Sequence, residues 1–155
     1  MAAALDRRDG LAGSPTPWTI ARVEDDSHPT DMPETDESAS EETGALRQEI
    51  SNAVVGLYKE HYGKGPTQCR TYVEPELVVV VLGGGYTTSE RTLFEGGKWY
   101  EVRQARQHWQ DSMQARFVET IEKLSGREVQ AFMSANHQDP DLAVELFVLD
   151  KEQTG

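Results

Sequence analysis

Leu77-Val78-Val79-Val80-Val81-Leu82 is an uninterrupted run of six aliphatic residues, four of them valine, and Gly83-Gly84-Gly85 follows it directly. β-Branched side chains favour an extended backbone, and a short apolar run that ends at glycines predicts a strand rather than a helix. A strand that is apolar at every position needs cover on both faces. Helices of the same chain would cover one face, and we predict that a second subunit covers the other. The run therefore indicates a homodimer.

Three further strands are predicted around this one. Residues 67–73 precede it, and the three-residue link Glu74-Pro75-Glu76 is short enough for a hairpin. Residues 128–136 and 142–149 predict a second hairpin, whose turn contains Asp139-Pro140-Asp141. Because hairpin strands run in opposite directions, the pattern predicts a four-stranded antiparallel sheet.

Helical periodicity appears in two segments, from residues 40–42 to about 62 and from about 99 to 124, where apolar residues recur every three or four positions. Between them, Thr87-Thr88-Ser89-Glu90 has the pattern of a capping box and predicts a short helix that ends before Gly96-Gly97. The predicted order is α-β-β-(short α)-α-β-β. The fold class is therefore α+β, with helices packed on the four-stranded sheet.

Charge divides the chain into two parts. The 155 residues carry a net charge of −12, and residues 1–44 hold eleven acidic and three basic residues, a net of −8. This segment contains one aromatic residue, Trp18, so it has little apolar surface to offset the entropy lost on ordering. We predict a disordered acidic tail over 1–43, an α+β domain over 44–150 and a short C-terminal tail over 151–155.

Composition excludes several classes of protein. An acidic chain lacks the clustered cations that bind nucleic acid, and the single cysteine, Cys69, excludes an internal disulfide and a cysteine-based zinc cluster. No run approaches the roughly 20 apolar residues that span a bilayer, so direct membrane insertion is not expected. The N-terminus lacks the apolar core of a signal peptide. We therefore expect a cytoplasmic protein.

No pattern predicts catalytic residues, a cofactor or a metal. The three glycines lack the lysine and hydroxyl residue of a phosphate-binding loop. His137 with Asp139 and Asp141 offers only one nitrogen ligand, and this spacing is typical of a turn.

Ligand or partner contacts are predicted mainly at cations and at the free amides of a helix start. Lys64 either complements the dipole of the first helix or contacts an anion. Arg103, Arg106 and Arg116 form either a solvated face of the long helix or a docking surface for an anionic ligand or for the acidic tail. The predicted contact residues are Lys64, Arg70, Thr87, Arg103, Arg127, His137 and Asp139.

Four segments occur together in an order that resembles a known family. They are Tyr62-Gly63-Lys64-Gly65-Pro66, the Thr87-x-x-Glu90 helix start, Leu124-Ser125-Gly126-Arg127-Glu128-Val129 and the closing run from 134 to 150. In this order residues 44–150 resemble the MpsC-type family, which takes its name from a Na⁺-translocating membrane-potential-generating system. The resemblance implies a small cytoplasmic domain that works with membrane proteins moving cations or taking up inorganic carbon. It implies no catalytic residues.

Three functional hypotheses follow. The first is a non-enzymatic accessory or regulatory subunit of a membrane transporter, peripheral to the inner face of the cell membrane. The alternative is a homodimeric sensor of a small anion or other small ligand, bound near Lys64, Arg70 or the amides at Thr87. The third is an enzyme, for which Glu90, His137 and Asp139 are the acid–base candidates.

Overall fold

The structure is a computed structural model that describes residues 36–151. The predicted order of elements and the α+β class are confirmed. Residues 1–35, which make up most of the predicted acidic tail, and residues 152–155 lie outside the described part of the chain. The elements are α1 (Asp36–His61), β1 (Gln68–Glu74), β2 (Leu77–Gly83), α2 (Thr88–Glu95), α3 (Trp99–Ser125), β3 (Val129–His137) and β4 (Leu142–Leu149).

Helix α1 begins earlier than its apolar periodicity predicts. Its first residue is Asp36 rather than one of residues 40–42, so residues 36–43 of the predicted tail belong to the helix. Residues 37–42 are exposed and include the acidic side chains of Glu37, Glu41 and Glu42. An acidic residue in the first turn is stabilised by the positive end of the helix dipole, a signal that apolar periodicity does not contain.

The sheet joins two hairpins through its centre. Its strand order is β1-β2-β4-β3, and all neighbouring strands are antiparallel, as predicted. The central pair, β2 with β4, sets Val80 opposite Glu145. Strand β3 carries an irregularity between Val129 and Ala131, where its register against β4 shifts.

Both long helices pack on one face of the sheet. Alternate residues of β2 and β4 point into this core, and the positions between them are only partly buried. The core combines residues of α1, α3, β2 and β4, namely Ile50, Val54, Tyr58, Met113, Phe117, Ile121, Val78, Val80, Leu82, Ala143, Phe147 and Leu149. None of the helices within residues 36–151 is long and apolar enough to cross a membrane.

The other side of the sheet, which we call the open face, is also apolar. On β2 it presents Val79 and Val81, and on β4 it presents Val144, Leu146 and Val148. The prediction that β2 is apolar on both sides therefore holds, but the helices cover only one of them. Cys69 lies on β1, half-buried and on the helix-covered side, where burial raises the pKa of its thiol.

Gly84 makes the close turn that leads out of β2. Its φ is +69°, and a Cβ at this position would lie 2.0 Å from Oγ1 of Thr67. Its amide donates to the carbonyl of Asp141 over 3.2 Å, which ties the loop to the start of β4. The position therefore needs both a left-handed backbone and the absence of a side chain.

We expect Gly84→Ala to lower the free energy of unfolding by about 1–3 kcal/mol more than Gly63→Ala, because it adds overpacking to backbone strain. Gly63 is the matched control, since its φ is +86° and an added Cβ there would have no atom within 4 Å. Urea denaturation of the two variants measures the difference. Equal losses would contradict the close approach of Thr67.

Candidate functional site

Arg106 is the centre of a buried ionic group at one end of the sheet. Its side chain on α3 is 6% exposed. Nε lies 3.1 Å from Oε1 of Glu90, Nη2 lies 3.2 Å from Oε2 of the same carboxylate, and Nη1 lies 2.7 Å from Oδ1 of Asp141. The ring of Tyr86 stacks under the guanidinium, with 4.4 Å between the guanidinium carbon and the ring centroid. We call Arg106, Glu90, Asp141 and Tyr86 the arginine cluster.

Local structure places both carboxylates of the arginine cluster. Thr87 and Glu90 form the predicted capping box of α2: Oγ1 of Thr87 accepts from the amide of Glu90 at 3.2 Å, and Oε2 of Glu90 accepts from the amide of Thr87 at 2.9 Å. Asp141 is the last residue of the β3–β4 turn, and its Oδ2 accepts from the amide of Tyr86 at 2.7 Å. Each carboxylate therefore binds a backbone amide and the guanidinium at once.

The charges of the arginine cluster stabilise one another. Burial alone would lower the pKa of Arg106, but the hydrogen bonds and charges of Glu90 and Asp141 outweigh burial and raise it. Burial and the charge of Asp141 raise the pKa of Tyr86. Both side chains are therefore held in their protonated forms.

A second polar group lies inside the core, around Glu145. This side chain is 0% exposed. Its Oε1 accepts from the hydroxyl of Tyr58 at 2.5 Å and from Nε2 of Gln110 at 2.6 Å. Asn136 donates to Oε1 of Gln110. Tyr58, Gln110, Asn136 and Glu145 form what we call the Glu145 cluster, which links α1, α3, β3 and β4.

Glu145 is an acid that titrates close to neutrality. Burial raises its pKa to about 7, and the hydrogen bonds from Tyr58 and Gln110 oppose this rise only in part. Its Oε2 is buried and has no hydrogen-bond partner, which favours the neutral acid over the carboxylate. Burial and the neighbouring Glu145 also raise the pKa of Tyr58, which keeps its hydroxyl as a donor.

The two clusters meet at a small cavity. Tyr58 of one cluster and Arg106 and Asp141 of the other line it, so the two polar groups are separated by little more than this gap.

A larger cleft of about 340 Å³ lies beside the arginine cluster. Tyr86, Phe94 and Gln138 supply aromatic and amide surface. Three carboxylates line it, those of Glu95, Asp139 and Asp141, against the single guanidinium of Arg91. An acidic lining of this kind does not suit an anion. Within residues 36–151, no group of three or more His, Cys, Asp or Glu residues could hold a metal ion.

Four of the predicted contact residues lie at the end of the sheet that holds the arginine cluster. Nζ of Lys64 donates to the carbonyl of Tyr86 at 2.6 Å, so Lys64 binds the loop that enters α2. Thr87 caps α2, and Asp139 lines the cleft. Nδ1 of His137 lies 2.9 Å from the carbonyl of Pro140.

The other three predicted contact residues lie apart. Arg70 is exposed on β1 and Arg103 is exposed on α3. Arg127 is at the opposite end of the sheet. Its Nη1 donates to the carbonyl of Pro75, and its Nε lies 3.5 Å from Oδ1 of Asp150. The seven residues therefore do not form one site.

Several residues of the two clusters were not among the predicted contacts. The sequence alone predicts that Arg106 is a solvated or docking arginine of α3, whereas it is buried and paired with Glu90 and Asp141. The signal was its position: Arg106 and Gln110 continue the buried stripe of α3 between Val102 and Met113. Glu145 likewise occupies an inward position of an otherwise apolar strand.

The comparisons with known proteins give one match. A family model described as "Na+-translocating membrane potential-generating system (MpsC)" matches residues 42–151. No curated protein and no solved structure matches the chain.

We expect Arg106→Met to lower the free energy of unfolding by roughly 3–5 kcal/mol, because it leaves the carboxylates of Glu90 and Asp141 buried without a cation. Arg103→Met is the matched control on the exposed side of the same helix and should change stability by about 0.5 kcal/mol or less. Chemical denaturation measures both. Combining Arg106→Met with Glu90→Gln and Asp141→Asn should recover part of the loss, and similar losses for the two single variants would contradict the buried pairing.

We expect the protein to lose stability as the pH rises, because the folded state holds a proton on Glu145 that the unfolded chain releases near 4.5. The contribution is fully present below this pH and is lost as the pH rises through about 7. The loss amounts to roughly 3 kcal/mol. Denaturation midpoints between pH 5 and pH 9, roughly the range in which such a group titrates, measure it.

Glu145→Gln should remove this part of the pH dependence. Glu119→Gln is the control: Glu119 is exposed and Lys123 lowers its pKa, so it stays ionised throughout the range. A wild-type slope that Glu145→Gln leaves unchanged would contradict a raised pKa of Glu145 in the folded protein.

Proposed function

The chain belongs to the MpsC family, and from this premise we propose that it is a non-enzymatic accessory or regulatory subunit of a Na⁺-translocating, membrane-potential-generating system. The observation that carries the proposal is the extent of the family match. Residues 42–151 include all of the sheet, α2, α3 and most of α1. The same residues have the order of segments on which the resemblance rests.

The arrangement of the polar residues supports the non-enzymatic part of the proposal. Arg106 is the most deeply buried cation near the cleft, and it binds Glu90 and Asp141 on the same chain. Lys64 binds a backbone carbonyl. These groups hold the loop before α2 in place, and a group used in this way is not available to a substrate.

We propose that the protein works in the cytoplasm, against the inner face of the cell membrane, and as a homodimer. The association of the family with a membrane-potential system supports this location. The homodimer is supported by the aliphatic open face of the sheet, since apolar patches of this kind mark protein contacts.

Deleting the gene should reduce the part of the membrane potential that depends on external Na⁺, and a plasmid copy should restore it. A voltage-sensitive dye measures the potential in cells energised with either Na⁺ or choline in the medium. Na⁺-dependent potential that is unchanged by the deletion would contradict the proposal.

The same assay tests the non-enzymatic part. His137→Ala and Asp139→Asn change two exposed acid–base candidates and should restore the potential as well as the wild-type gene does. Circular dichroism confirms that both variants are folded. A folded variant that fails to restore the potential would show that these side chains act on a ligand or a substrate.

A further inference from the structure

We infer that the open face of the sheet is the interface between two copies of this chain, packed sheet against sheet. The inference rests on the homodimer part of the proposed function and is independent of the membrane partner. Its basis is the side-chain chemistry of the face, its area and the placement of its charges.

The open face is aliphatic across its two central strands. An antiparallel sheet that exposes one face to water carries polar residues on that face, alternating with the apolar residues that face the core. Here β2 and β4 have apolar side chains on both faces, with the exception of Glu145 on the helix-covered face. Met133 on β3 is 54% exposed. The apolar members of the open face are Leu77, Val79, Val81, Leu142, Val144, Leu146, Val148, Ala131, Met133 and Ala135.

The size of the face is sufficient for a dimer. Its strands contain seven to nine residues. At about 3.3 Å per residue and about 4.8 Å between strands, the footprint is roughly 400–500 Å² on each copy. Two copies together cover roughly 800–1,000 Å², and the upper end of this range reaches the lower limit for a specific interface.

The shape of the face fits a second sheet better than another kind of surface. It lies across regular strands, and its side chains offer no hydrogen-bonding groups over β2 and β4. Two such faces pack about 10 Å apart with their strands about 30° from parallel, as in β-sandwiches. A two-fold axis makes one apolar patch complementary to itself, so a single sequence supplies both sides.

The charges lie at the edge of the face and have opposite signs. Arg70 and Glu74 both point to this side of β1, since Thr71 between them binds Ser51 of α1 on the other side. A two-fold axis across the strands sets β1 over its copy in the reverse direction. Arg70 of each copy then meets Glu74 of the other. The protein's net charge of −12 causes electrostatic repulsion between two copies. This repulsion is weakened at the interface, because the centre of the open face has no acidic residue and Arg70 pairs with Glu74 at its edge.

Sedimentation equilibrium of the purified full-length chain tests the inference. We expect a dimer at micromolar concentration. Val144→Glu places a carboxylate in the centre of the face and should raise the dissociation constant at least 100-fold. Gln114→Glu on the exposed side of α3 is the matched control and should stay dimeric.

A charge swap tests the inference with substitutions at two exposed positions. Arg70→Glu should raise the dissociation constant about tenfold, and adding Glu74→Arg should restore it. The two residues are four positions apart on one strand, about 13 Å, so the swap cannot act within one copy. Circular dichroism shows whether Val144→Glu folds. If it does not fold, the two charge-swap variants alone test whether the open face is the dimer interface.

Three results would overturn the inference. A wild-type chain that stays monomeric up to millimolar concentration excludes the dimer. A dimer that folded Val144→Glu leaves intact places the interface elsewhere. A charge swap that does not restore association excludes the two-fold arrangement. The measurement uses no membrane, so its failure is distinguishable from a failure of the membrane-subunit proposal, which the deletion experiment tests.

Discussion

The pairing of one guanidinium with two carboxylates fixes the end of the sheet where the loops meet. Arg106 comes from α3, Glu90 from the first turn of α2 and Asp141 from the turn before β4. Each carboxylate also accepts from a backbone amide, so the same three side chains pair opposite charges and bind the amides of Tyr86 and Thr87 in the loop that joins β2 to α2. A buried ion pair adds little net stability. It does restrict the conformations that the loops can adopt, because a different loop conformation would leave a buried charge unpaired. The conformation around Tyr86 follows from this constraint.

The core contains a second constraint of a different kind. Glu145 stands opposite Val80 in the central strand pair, and its hydrogen bonds reach both long helices through Tyr58 and Gln110. An aliphatic residue would fill the same space at lower cost. The acid instead fixes the positions of both helices against the sheet, because its directional bonds specify one packing where apolar contacts would permit several.

Local patterns in the sequence predicted the elements well. The capping box at Thr87 and Glu90, the two hairpins and the order of helices and strands are each encoded within a few neighbouring residues, and the structure confirms them. The pairing of β2 with β4 was not predicted, since it depends on segments far apart in the chain. The role of Arg106 was missed for the same reason: its sequence neighbours Arg103 and Gln107 are exposed or half-exposed, and only the fold brings Glu90 and Asp141 to it. Predictions from single residues therefore selected cations, Lys64, Arg70, Arg103 and Arg127, that do not lie together in the fold.

The strand order β1-β2-β4-β3 also has a kinetic meaning. Each hairpin closes over a short turn, and each is preceded by the long helix that packs on it, so the chain consists of two local units, α1-β1-β2 and α3-β3-β4. The central strand pair is the only sheet contact that must bridge α2 and α3, and closing that long loop costs the most chain entropy. We therefore expect the two halves to join late in folding, along one line of hydrogen bonds. Glu145 lies on that line, opposite Val80, so on this order its burial and its dependence on pH belong to a late step.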